Sequence, residues 1–217
     1  MTRPPVQPKR TEIAPEDLEA YDAVITRMRR VFGAGEAPAE EEFDAGEYFG
    51  ALLNSPPMCA IASQMGTFVR TAAERGNTYS HADREFVDQV LSADLGTNVV
   101  QHVHIPDALA TGIRLEAIEA LRYGREEELT ADEKLLTAYI RQTVSGTVTD
   151  ETWDAMVERL GARGVVEYTG FILWLQWILR MMQALGISSP TDEEIDRMIT
   201  EFRDGTRELP DFRKRIT

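Results

Sequence analysis

The chain has 217 residues, 43% of them hydrophobic, so it is long and apolar enough to bury a core and is not a disordered chain. Its 23 basic and 37 acidic residues leave a formal charge of −14, which argues against a nucleic-acid binder with a basic face and against docking on anionic lipid. A small anionic substrate stays open, because one or two local arginines hold a carboxylate whatever the net charge.

Residues 1–14 are proline-rich and polar and read as an extended arm, 15–205 as one helical domain, and 206–217 as a charged tail. The N-terminal residues carry no apolar signal-peptide run, so a cytoplasmic address is expected. Residues 15–32 read as the first helix, with Leu18, Tyr21, Val24, Ile25 and Met28 on one face and Gly33 as its end. Residues 34–46 are acidic, with Gly and Pro, and read as a solvated loop. Ser55 and Pro56 start a helix whose stripe of Met58, Ile61, Met65, Phe68 and Val69 reads as core packing. Cys59, the single cysteine, reads as a buried, inert thiol; alone it allows neither an intramolecular disulfide nor a cysteine zinc site.

Ser80 with Asp83 opens a helix to about Leu95, in a capping-box arrangement. Gly96, Thr97 and Asn98 break it and cap a second helix, from about Val99 to Thr111, closed by Gly112. Further helices follow at Leu115–Tyr123, after the Thr130–Glu133 capping box up to Gly146, and from Thr149 or Asp150 with Trp153, Met156, Val157 and Leu160 inward. Gly161 and Gly164 read as a turn before a long helix, Val165–Leu185, apolar on nearly all sides. Its Glu167, Gln176, Arg180 and Gln183 fit a soluble core better than a membrane. Thr191 with Glu194 starts a last amphipathic helix to about Phe202. No useful stretch alternates with period two, so the fold class is all-α.

The hairpin of residues 80–112 carries the best candidate for chemistry. Two antiparallel helices joined by a tight turn bring the start of the first against the end of the second, and so Glu85 against His104. A histidine titrates near working pH, and a carboxylate on one ring nitrogen fixes its tautomer and raises its basicity. Pro106 cannot donate to the carbonyl of His102 and is expected to kink the second helix. His102, two residues from His104, points to another side of a helix, so the two do not chelate one metal. Asp107 with His104 gives only two ligands, and no metal site is assigned. Arg84 is able to hold a substrate carboxylate or to pair with a neighbouring acid. Arg180, inside the apolar helix, must be paired if buried, with an acid or with an anionic ligand. Trp174, Trp177 and Arg180 form one strip that suits either an aromatic carboxylate or a subunit interface.

This stretch resembles the carboxymuconolactone decarboxylase and alkylhydroperoxidase AhpD-like family. Arg84-Glu85, His104 nineteen residues after that Glu, Ala108 and Gly112 stand at the family's spacings. The segments 48–56 and 113–124 resemble the motifs that flank them, so the likeness covers roughly residues 15–186. The resemblance implies a multi-helix bundle with a long buried helix in its C-terminal half, oligomerising through helices as a dimer, trimer or hexamer. It also implies a Glu85–His104 proton relay. The redox members' two cysteines fall on Thr97 and Val100, and the Tyr-Glu-Trp of other relatives on Val99, Val100 and Gln101. Peroxidase chemistry needs thiolates that these positions lack.

Two function classes follow. One is a cofactor-independent decarboxylase, lyase or isomerase acting on a small carboxylated or lactone compound. In it His104 and Glu85 are catalytic, with Arg84, Arg180, His102 and Trp177 as substrate contacts. The other is a non-catalytic binding or structural relative. A weak antioxidant role would fall to Cys59 alone.

Overall fold

The computed structural model describes residues 5–35, 37–38, 41–76 and 78–211. The first four residues of the expected arm, parts of the acidic loop and residues 212–217 of the expected tail lie outside them. Among the described residues the chain is all helical, with nine α-helices, short 3-10 turns and no strand. The helices are α1 Leu18–Val31, α2 Gly46–Leu52, α3 Pro56–Arg70, α4 His81–Leu95, α5 Asn98–Ala110, α6 Leu115–Tyr123, α7 Ala131–Ser145, α8 Asp150–Leu185 and α9 Asp192–Arg203. Among the described residues no helix is long and apolar enough to cross a membrane.

Local chemistry sets most of these boundaries. Ser80, Thr130 and Thr191 each accept from the backbone of the residue three on, and Asp83, Glu133 and Glu194 reach back in turn. Gly96, Gly124 and Gly146 end their helices in the left-handed conformation that costs other residues steric strain. The chain falls into two compact units.

One unit comprises, among the described residues, those from 5 to 69 together with Met181–Ser188. Its arm is tied down. The Gln7 amide donates to the Phe43 carbonyl (2.8 Å) and accepts from Ala45 N–H (3.0 Å), and Arg10 pairs with Asp22 at 2.8 Å. Tyr21, Val24, Ile25 and Met28 are buried, as their spacing predicts. The stripe on α3 is a correction. Its buried face is the small one, Pro56, Cys59, Ala62, Ser63, Gly66 and Val69, while Met58, Ile61 and Phe68 are exposed. Small side chains allow close backbone approach, so the bulky ones turn outward. The seven-residue α2 had no sequence signal, being too short to display a helical period.

The second unit comprises, among the described residues, Arg70–Arg180 and residues 189–211. Here α4 packs most extensively against α5 and also meets α6 and α7. A core of Ile105, Ala108, Ile118, Ile195, Met198 and Ile199 joins α5, α6 and α9. α8 is interrupted at Gly161, which is non-helical (φ 72°), giving segments 150–160 and 162–185. Gly164 lies inside the second segment rather than in a turn; a Cβ there would meet Leu160 Cβ at 2.9 Å and Thr78 Cα at 3.2 Å. Trp153 is exposed while Met156 and Leu160 are buried. The long helix is not buried all round: Tyr168, Phe171, Ile172 and Leu175 are buried, but Val166, Leu173 and Trp177 are exposed.

Candidate active site

The start of α4 is fixed before the site is made. Ser80 and Asp83 close the capping box, Arg159 Nη2 donates to Asp83 Oδ1 at 2.7 Å, and the Tyr168 hydroxyl donates to the Asp83 carbonyl at 3.1 Å. Two residues further on stands Glu85, wholly buried. Gly96 reverses the chain, and the Thr97 N–H bonds the Ser92 carbonyl at 2.9 Å, so α5 returns alongside α4. α5 continues through Pro106 to Ala110.

This geometry brings Glu85 Oε2 to 2.8 Å from His104 Nδ1. An ionised carboxylate only accepts, so Nδ1–H is the donor and the tautomer is set. The other Glu85 oxygen accepts from Arg84 Nη2. Arg84 therefore pairs with the neighbouring acid, the plainer of the two roles its position allowed. Glu85 Oε1 and Oε2 are thus held from two sides.

Asp88, one turn after Glu85, was not singled out by sequence reading. Its Oδ2 lies 3.6 Å from the same His104 Nδ1, is buried and has no hydrogen-bond partner within the protein. The signal that would have found it is the i, i+3 spacing from Glu85, which places both carboxylates on one helix face. Arg70 acts electrostatically on Glu85 and Asp88, and Asp107 acts in turn on Arg70.

The charges account for the proton affinities. Burial raises the Glu85 carboxyl, but His104, Arg84 and Arg70 outweigh it and hold it below the usual carboxylate range. Burial, reinforced by the Glu85 charge, pushes Asp88 up to about 6. Burial disfavours the imidazolium of His104, yet Asp88 and Glu85 overcome this and raise its affinity for a proton. Arg70 and Arg84 face Glu85, Asp88 and Asp107, so one proton on His104 balances the set. The ring keeps 21% of its side-chain surface exposed, although both carboxylates against it are sealed. Nδ1 is committed to the acids, which leaves Nε2 on the opposite edge for exchange.

Glu85, Asp88 and His104 each bring one donor atom within 4.8 Å of the others, close enough to hold a cation. Their surroundings favour a proton there. Nδ1 bonds Glu85 directly, the second Glu85 oxygen is taken by Arg84, and two guanidinium groups repel a dication. Asp88, not Asp107, is the third member of this group.

The other sequence candidates lie apart in exposure. His102 is exposed on α5, as its i+2 offset from His104 requires. Trp177 and Arg180 sit on the exposed side of α8, so the Arg180 charge is not a buried one and needs no core acid to explain it. His81, at the first turn of α4, is half-buried. Thr97 and Val100, at the cysteine positions of the redox pattern, are both buried. Burial pushes the Cys59 thiol up to about 11, which keeps it protonated and poorly nucleophilic.

The chain matches no protein-family model, no curated protein and no solved structure.

Proposed function

We propose that this protein is a carboxymuconolactone decarboxylase-like, AhpD-like helical enzyme that transfers protons to or from a small carboxylated or lactone compound without a cofactor. The observation that carries the reading is the 2.8 Å contact between a sealed, arginine-held Glu85 and an imidazole that keeps part of its surface open. In decarboxylation, loss of CO2 leaves an enolate or carbanion, and protonated His104 supplies the proton through Nε2. In isomerisation the neutral ring takes a proton and returns it at another carbon. Glu85 orients the ring and stabilises its charged form in both cases. Arg84 holds Glu85 rather than substrate, so substrate contacts are proposed at Arg180, His102 and Trp177, with assembly to a homo-oligomer through helix faces and location in the cytoplasm. No nucleic-acid partner is proposed, given the charge of −14.

The test is solvent-deuterium incorporation in D2O, followed by NMR, across a panel of β-keto acids, lactone acids and enolisable carboxylates, with CO2 release measured in parallel. Incorporation or CO2 release that is lost in His104→Ala and falls at least about tenfold in Glu85→Gln supports the enzyme reading. If wild type and His104→Ala behave alike on every compound, the reading is overturned. The residual function is then binding or structural.

A further inference from the structure

Helix α3 buries its small side chains and exposes its large ones. Met58, Ile61 and Phe68 keep 37%, 68% and 41% of their surface exposed, and Met65, on the same side, is half-buried. The four recur at intervals of three and four residues. Met58 and Met65 therefore take the a positions of a heptad, and Ile61 and Phe68 the d positions. Single exposed hydrophobic residues are ordinary on a protein surface; a stripe of them in the register of a helix–helix seam marks a place of contact. The helix does not need this stripe for its own packing, which the small face of Cys59, Ala62, Ser63, Gly66 and Val69 supplies.

Charge decides what covers the stripe. Charged residues make up 28% of the chain, yet residues 56–69 contain none. Two copies that each carry −14 repel one another in most orientations. They meet at least cost where neither presents a charge, and this face is such a place. A lipid surface would call for basic residues beside the apolar stripe, which this run lacks. The order of residues agrees with a second copy. Met58 and Phe68 stand five residues either side of position 63, and Ile61 and Met65 stand two either side. A two-fold axis at that level, with the helices antiparallel, sets Met58 against the partner's Phe68 and Ile61 against the partner's Met65. Each layer joins an a position to a d position, and a methionine sulfur against an aromatic ring is a favourable contact. A two-fold contact must be self-complementary, which this spacing is. Exposed Gln64 flanks the stripe beside the axis, with an amide that both donates and accepts and so suits its own copy.

We propose that α3 is a homodimerisation helix: two copies of this chain pair antiparallel along Met58, Ile61, Met65 and Phe68, about a two-fold axis level with Ser63. The proposal rests on the homo-oligomer reading given above and names its face; it is independent of the chemistry at His104. Four partly exposed side chains cover less than the ~800 Å² that each partner buries in a standard complex. The dimer is therefore weak, with a dissociation constant in the micromolar range.

The test is sedimentation velocity on the full chain, from micromolar to millimolar concentration. Wild type should show a reversible monomer–dimer equilibrium that tightens with salt, as screening relaxes the repulsion between copies. Ile61→Glu and Met65→Arg each bring a charge into the seam without entering the core. Each should keep the helix content of wild type by circular dichroism and raise the dissociation constant at least about tenfold. Mixed in equal amounts, the two variants should associate again. Antiparallel pairing sets the introduced carboxylate against the introduced guanidinium and leaves the other Ile61–Met65 layer as it was, whereas parallel pairing does neither. A wild type that is monomeric at every concentration overturns the proposal together with the homo-oligomer reading, and leaves the stripe to a different partner. An oligomer untouched by Ile61→Glu overturns the proposal alone and puts the assembly on another face. Loss of the dimer in each variant with no recovery in the mixture overturns the antiparallel pairing.

Discussion

Helix α5 has two buried faces, and they are built on opposite principles. Towards α6 and α9 it presents Ile105 and Ala108 to a core of Ile118, Ile195, Met198 and Ile199. Towards α4 it presents His104 to Glu85 and Asp88. The first face is held by non-directional burial, at roughly 25 cal/mol per Å² of apolar area. The second has to match donors to acceptors and charges to countercharges, and its groups carry a desolvation cost that only correct geometry offsets. The difference teaches which face depends on geometry and which on area alone. A carboxylate pair on one imidazole is what the proposed proton-transfer reading requires.

The sharpest way to break the polar face is Glu85→Ala. It strands Arg84 and His104 together and is expected to destabilise by about 3–5 kcal/mol in urea unfolding. A loss under about 1 kcal/mol would mean that the pair is effectively solvated. On the apolar face, Ile105→Ala is expected to cost about 2–5 kcal/mol through lost burial and a cavity. The two faces differ in what else changes: Ile105→Ala should leave the pH dependence of stability as it was. A shifted profile would show that the faces are coupled through α5.

The pH dependence sharpens the comparison. His104 is raised above 6.5 in the folded state, so its contribution is complete below 6.5 and is lost as pH rises through the folded value. Asp88, raised from 3.8 to about 6, acts with the same sign: folding favours its proton, so its ionisation removes stability as pH climbs through that interval. Glu85, lowered below 4.5, opposes them only in acid, where its contribution disappears as pH falls through the folded value. Thermal melts of wild type and His104→Gln are therefore expected to converge as pH rises from 6.5 through the folded-state titration of His104. The gap that closes should be on the order of 1 kcal/mol for each tenfold by which folding tightens the hold of His104 on its proton. Parallel curves would remove His104 as the titrating group. Asp88→Asn should move the His104 titration, followed by NMR, to lower pH, since it deletes the first of the charges that raise it.

The smallest effect is expected outside both faces. His102→Ala, on the exposed side of α5, should change stability by less than about 0.5 kcal/mol. If turnover on a substrate found by deuterium exchange nevertheless falls, His102 is a substrate contact and not merely a surface group.

The elements and their ends were written locally. Ser80–Asp83, Thr130–Glu133 and Thr191–Glu194 announce helix starts because each motif satisfies backbone donors within four residues. Gly96, Gly124 and Gly146 announce ends because they adopt the left-handed conformation at little steric cost. The meeting of Glu85 and His104 was legible too, because a tight turn between two helices of known length fixes which residues come level. Outward and inward faces were not. The α3 stripe of Met58, Ile61 and Phe68 has helical spacing and is still exposed, since periodicity gives a face but not its direction. The same limit hid Arg180, which hydrophobic neighbours suggested was buried. Asp88 and the buried Gln89, Ser92 and Thr97 needed the tertiary structure for a different reason. A polar residue in a helix reads as solvent-facing by default, and only the packing of a second helix over it reveals that its hydrogen bonds must be met inside.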